Sequence, residues 1–222
     1  MDNSQLTSMT KDKIKQAYIE HILEKGTQPE SIYAFCKKLK IKEAAFYEEY
    51  TSFPQIESEV WKGFFLETIT SAQHEEVYAD YSVREKVLAF FYTWIEVLKQ
   101  NRSFILKSYE GFQKPIYTKR NAQLADFKIA FYDYINELVL EARETKEIEQ
   151  RPLPQITQRY PDLFWAKTLF ILDFWVNDTS KAFEKTDTMI EKSVNTAFDL
   201  LGRSPLDSLF DLGKFLFQNR RI

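Results

Sequence analysis

The sequence predicts an all-α fold, and three observations carry that expectation. Apolar residues recur at three- and four-residue steps in nearly every segment, the spacing of one helix face rather than the alternation of a strand. Glycine is scarce, five in 222 residues, too few for a many-turned β-fold or a Gly-rich phosphate loop. Helix punctuation, at Gly26, Pro54 and Ser204-Pro205, falls where the periodicity changes.

Taken in order, residues 1–10 are polar and read as frayed. A first helix is expected over about 11–25, with Ile14, Ala17, Tyr18 and Ile22 on one face and Gly26 as the residue that ends it. Pro29 suits the first turn of a second helix, about 30–39. Lys40-Ile41 forms a short break, and a third helix covers about 42–50. Pro54 opens a long fourth helix, about 54–77. Longer helices follow at about 83–100, 102–112 and 118–144. Residues 147–160, with Pro152 and Pro154, read as a loop. The segment 161–177 is apolar nearly all round, which predicts cover on more than one side and makes it a candidate subunit interface. An amphipathic helix over 186–201 and a last one over about 206–219 complete the chain. Two domains are expected, 1–53 and 54–222.

Composition excludes several functions. The formal net charge of −3 does not suit a protein that coats nucleic acid, although a small DNA-reading module on a larger body fits it. One cysteine, Cys36, forbids an intrachain disulfide and suits a reducing compartment. The first twenty residues lack the apolar stretch of a signal peptide. The longest charge-free run of the aromatic region, Val87 to Ile95, is nine residues, against about 20 for a membrane span. A cytoplasmic protein is the expectation. The two histidines, His21 and His74, have no carboxylate three residues earlier, and nothing orders Ser, His and Asp into a triad. No catalytic residue, metal site or cofactor is expected.

Residues 30–56 hold two short helices with a tight break, the small Cys36 in the first and Ile41 after the break, which is a helix-turn-helix pattern. Ile32, Phe35, Leu39, Ile41, Phe46 and Tyr50 would form its core. With Gly26 closing helix one, Ser31-Ile32 opening helix two, Phe46-Tyr47 in helix three, Tyr50, and Ser52 before helix four, this segment resembles the TetR family of bacterial regulators. The stretch from Trp165 to Phe217 is also similar to TetR-like proteins of Bacteroidetes-type bacteria. The resemblance implies an N-terminal three-helix DNA-binding domain and a C-terminal helical bundle for ligand binding and dimerisation. It implies a homodimer, operator DNA as one partner, and a hydrophobic small-molecule or lipid effector as the other. Helix three would enter the major groove, which assigns DNA contact to Ser31, Lys37, Lys40, Lys42, Ala45 and Tyr47.

The chain departs from the family pattern. Lys40 stands where the family has Gly in the turn, Glu48 and Glu49 follow the Tyr, and Phe53 replaces a phosphate-facing Lys. Residues 11–53 carry eight Lys against seven acids, a net of +1, which is a thin footprint for a polyanion. These departures keep a second function open: a TetR-fold lipid or isoprenoid binder that has lost DNA binding. The lysine cluster 37–42 is either a phosphate contact or a solvated helix face. The aromatic middle is either a plain core or an apolar pocket lined by Phe91, Trp94, Phe104, Phe131, Tyr134 and Phe170. Trp165, Phe174, Trp175, Val194 and Phe198 are the candidates for a four-helix dimer interface. Asp173, inside the most apolar helix, needs a partner or an exposed edge.

Overall fold

The computed structural model describes residues 3–116, 119–148 and 159–201, with side chains from Thr10 onward and excluding Leu200 and Leu201. Among these residues there are helices and no strands. The head contains α1 (Asn3–Lys25), α2 (Ile32–Leu39) and α3 (Glu43–Glu49). The body contains α4 (Phe53–Gln73), α5 (Val83–Gln100), α6 (Arg102–Glu110), α7 (Ala125–Glu144), α8 (Tyr160–Asn177) and α9 (Glu184–Leu201). Single 3₁₀ turns stand at Tyr78–Asp80, Ala122–Leu124 and Lys181–Phe183. The expected helix over 206–219 lies outside the described residues.

Boundaries follow local chemistry. Helix α1 begins eight residues earlier than its polar start suggested, because polarity reports exposure and not helicity, and no Gly or Pro interrupts 3–25. Gly26 ends it at φ 72°, its N–H reaching the Ile22 carbonyl at 2.8 Å. Pro29 stays outside α2 rather than in its first turn; Ser31 is the N-cap, its Oγ accepting from Ala34 N at 3.1 Å. Helix α4 stops at Gln73, short of 77, and α7 starts at Ala125 rather than 118. Before α7, the Asn121 side chain holds the loop by accepting from Gln113 N at 2.7 Å.

The break in the helix-turn-helix is a left-handed residue. Lys40 sits at φ 57°, ψ 38°, and its N–H and that of Ile41 close on the Lys37 and Cys36 carbonyls at 3.2 and 3.1 Å. A non-Gly residue there carries a steric cost of about 1 kcal/mol. Lys40→Gly is therefore expected to stabilise the fold by about that amount, read as a higher urea midpoint with an unchanged slope.

The head core is aromatic. Phe35 packs edge-on to Tyr18, Phe46 and Phe53, and Phe53 stacks on Tyr18 at 5.5 Å. Ile32, Leu39 and Ile41 are only partly buried beside it. In the body, five helices close a ring: α4 packs on α5, α5 on α9, α9 on α8, α8 on α7, and α7 back on α4. Helix α6 leaves the ring to pack against α1, so the body touches the head directly. At the α8–α9 corner, the Asp178 carboxylate accepts from Ser180 N and Oγ and from Thr186 N and Oγ, all within 3.0 Å. Burial opposes its charge, yet these four donors hold its pKa down to about 2.

Candidate functional site

The head presents its basic residues where the turn leaves them. Lys37, Lys40 and Lys42 are exposed, and among the described residues their side chains make no hydrogen bond or ion pair. Lys11 and Lys15 are committed elsewhere, to Glu59 of α4 at 2.6 and 3.1 Å. Tyr47 is 52% exposed with its ring edge-on to Phe46 at 5.6 Å. Ala45 is half-buried, and Ser31 is exposed with its oxygen serving the α2 cap. Tyr33, 62% exposed on α2, joins this surface and was not among the residues expected there. Glu43 and Glu48 are exposed on α3 as well. Phe53 is buried in the head core, so the start of α4 carries no cation at that position.

A cleft of about 440 Å³ lies beside this surface, between the end of α1 and α2, walled by His21, Lys25, Gln28, Glu30, Phe35 and Lys38. Burial, then Lys38 and Lys25, lower the His21 pKa.

At the junction of head and body lies a buried polar network that no sequence pattern announced. Glu57 of α4 is 3% exposed. Its carboxylate accepts from Tyr18 Oη of α1 at 2.5 Å, from Gln28 Nε2 at 3.3 Å and from Ser108 Oγ of α6 at 3.1 Å. Ser108 Oγ in turn accepts from Trp61 Nε1 at 3.0 Å. Burial raises the Glu57 pKa, and the three donors offset only part of that rise. Burial and the Glu57 charge push the Tyr18 hydroxyl up, so it remains a donor.

The body interior is packed with rings. Phe90 meets Phe65, Phe91, Trp94, Phe131 and Tyr134, and Phe127 meets Trp61, Phe65, Trp94 and Trp165. Of the expected pocket lining, Phe91, Trp94, Phe131 and Tyr134 come together, as members of this core. Phe104 packs apart from them, on Phe64 at 6.2 Å. Phe170 does not join them; it is 43% exposed on the outer side of α8. A void of about 10 Å³ lies elsewhere in the ring, walled by Val83, Val87, Ile135, Leu138, Val139, Ile148, Phe164 and Phe198.

The expected interface residues also resolve differently. Trp165, Trp175, Val194 and Phe198 are buried within their own chain, and Phe174 is half-buried. Trp165 packs on Phe127 and Phe131, and Phe198 on Phe164. The buried side of α8 is covered by α7 and α9 of the same chain, while Leu163 and Phe170 leave an apolar outer side exposed. Asp173 is partly exposed and accepts a hydrogen bond from Tyr109. Among the described residues, no cluster of His, Cys, Asp and Glu could hold a metal ion, and no helix is long and apolar enough to cross a membrane.

No curated protein matches the chain. Among solved structures, a protein of unknown function from Rhodococcus sp. RHA1 is similar in fold, with a TM-score of 0.54 at 12% identity, covering 87% of this chain and 96% of that one. A family model described as "Tetracyclin repressor-like, C-terminal domain" matches residues 86–216. That match spans more than half of the chain and falls on an all-α body behind a helix-turn-helix head, so the chain belongs to the TetR, or tetracyclin repressor-like, family.

Proposed function

We propose that this protein is a homodimeric, cytoplasmic transcriptional regulator, a repressor, that reads operator DNA with its head and is controlled by a hydrophobic effector taken up by its body. The observation that carries the reading is the exposed set Lys37, Lys40, Lys42 and Tyr47 around the left-handed turn at Lys40, the three lysines making no hydrogen bond or ion pair among the described residues. Phosphate contacts of this kind position a recognition helix, and α3 is that helix in this reading. Ser31 and Ala45 border the same face. Two heads would read half-sites about one helical turn apart. Because Trp165, Trp175, Val194 and Phe198 serve their own chain's core, the dimer contact falls on the outer faces of α8 and α9, with Phe174 at its edge. The domain division at about residue 53 follows the same logic: Phe53 belongs to the head core although it begins α4.

Effector binding acts on DNA only if the ligand prefers one of two arrangements of head and body. The route available is α4, which contacts the body ring along its length and carries Glu57 under the head.

Fluorescence anisotropy with the gene's own upstream region against scrambled DNA, over a salt series, tests this. Preference for the native fragment of several hundred-fold, weakening with salt, is the expected result. Lys42→Ala should weaken binding several-fold and reduce the salt slope by about 1. Tyr47→Ala should weaken it further without changing that slope. Unchanged affinity in both variants would remove the site assignment.

A second reading is favoured by a specific observation: Glu43 and Glu48 are exposed on α3, and Phe53 is buried where the family carries a phosphate-facing Lys. In that reading the protein is a TetR-fold lipid or isoprenoid binder without DNA. A folded dimer that shows no sequence preference at low salt, and that carries a lipid in native mass spectrometry, would establish it.

A further inference from the structure

The helix ring encloses an amine that it does not satisfy. Lys167 lies mid-way along α8, and its Nζ is sealed from solvent with no hydrogen-bond partner among the described residues. A lysine stem is long enough to carry its charge outward, and on helices it ordinarily does so. Here it turns inward, placing Nζ 5.3 Å from the ring centre of Phe91 on α5 and 5.7 Å from that of Phe164. Ring faces attract a cation but accept none of its three N–H groups in a directed hydrogen bond. Burial lowers the amine's pKa to about 7, so its charge is kept only with difficulty.

Phe164 is also a wall of the void among Val83, Val87, Ile135, Leu138, Val139, Ile148 and Phe198. An unsatisfied donor and an apolar space therefore share one side chain. Among the described residues, the other buried side-chain atoms without a hydrogen-bond partner, Trp94 Nε1, Trp175 Nε1, Arg102 Nη1 and Tyr160 Oη, can all donate as well. The interior offers donors and hydrocarbon walls, and its complement is a molecule that brings acceptors and a hydrocarbon body.

We propose that Lys167 anchors the acid group of an apolar carboxylic-acid effector whose hydrocarbon body enters the space walled by Phe164, Val87 and Leu138. This rests on the reading of the body as an effector domain. A carboxylate meets what the amine lacks: it accepts from Nζ and restores the cost of its charge, whereas an alcohol does the first only weakly and an amine does neither. The void, at about 10 Å³, holds little more than one water-sized sphere, so uptake must displace Phe164 and widen the gap between α8 and α5. Helix α8 packs on α7 and α9, so widening there shifts the faces that the dimer reading uses.

The experiment is isothermal titration of the full chain with decanoate, decanol and decylamine below their aggregation limits, at pH 8. Decanoate should bind at least 10-fold tighter than decanol, and decylamine should not bind. Decanoate binding should also take up protons, seen as a heat that changes with the buffer's ionisation enthalpy. Lys167→Met should bind decanol as before but lose both the acid preference and the proton uptake. Lys167→Arg should keep the preference, and circular dichroism checks that both variants are folded. Equal affinity for acid and alcohol, an acid preference that survives in Lys167→Met, or no binding of any probe overturns the proposal. The DNA anisotropy assay, run in parallel, separates the two readings. DNA binding without acid binding removes this site and leaves the regulator. Acid binding through Lys167 without DNA binding leaves the site and removes the regulator.

Discussion

Replacing Lys167 by methionine is expected to raise stability at pH 7 by about 2–4 kcal/mol, an upward shift in Tm of roughly 10 °C for a chain of this size. The cause is burial alone, which brings the amine from an ordinary 10.5 to about 7. Below pH 7 the folded and unfolded chains both hold the proton, and the folded one bears the full penalty of burying it. Between about 7 and 10.5 the unfolded chain keeps the proton while the folded chain has released it. The natural protein should therefore gain stability, relative to the methionine variant, as pH climbs through that window. Methionine fills nearly the same volume without a charge. Thermal melts of both proteins from pH 6 to 11 measure the difference, in which titrations common to both cancel. Parallel curves would mean that Nζ is solvated. A gain in stability on removing a side chain is also the signature expected of a group kept for binding rather than for folding.

Glu57→Ala is expected to cost about 3 kcal/mol, because it removes one carboxylate and leaves three groups from distant parts of the chain without their acceptor. Tyr18 of α1, Gln28 before α2 and Ser108 of α6 all donate to it. Urea denaturation should show a lower midpoint. Glu57→Gln separates charge from hydrogen bonding. The Glu57 pKa is raised by burial above its ordinary 4.5, so over the interval above 4.5 the folded chain holds a proton that the unfolded chain has lost. Stability contributed by this group is full below that interval and falls as pH rises through the folded pKa. Glutamine should abolish that fall while losing much less than alanine does. A glutamine variant with the natural pH profile would mean that Glu57 titrates normally. In the proposed regulator the network also bears on control. Together with the Lys11 and Lys15 pairs to Glu59 it ties head to body, so the alanine variant should weaken the response of DNA affinity to effector more than it weakens DNA affinity itself.

Much of this protein was legible in its sequence. Helix existence followed from three- and four-residue spacing, and α5 emerged over the expected residues 83–100 because its periodicity is unbroken and its ends are polar. The helix-turn-helix was marked by Gly26, Ser31 and the Lys40 break, each a local backbone requirement that a residue type satisfies. Termini without such markers moved. Helix α4 has neither Gly nor Pro at its end, and α1 has no stop signal upstream.

What the sequence determined by itself is the helical class, the head with its turn, and the lysines and tyrosine that the turn leaves exposed. Only the tertiary structure decided which aromatic rings fill the ring of helices, and that Trp165, Trp175, Val194 and Phe198 serve the chain's own core. It alone turned Lys167 inward and placed Glu57 beneath Tyr18 and Ser108. The physical reason is the same in each case. Periodicity reports that a helix has an apolar face, but what covers that face, and which polar group is trapped under it, is a contact between segments distant along the chain. Tyr18, Glu57 and Ser108 are separated by 39 and 51 residues, and no local pattern joins them.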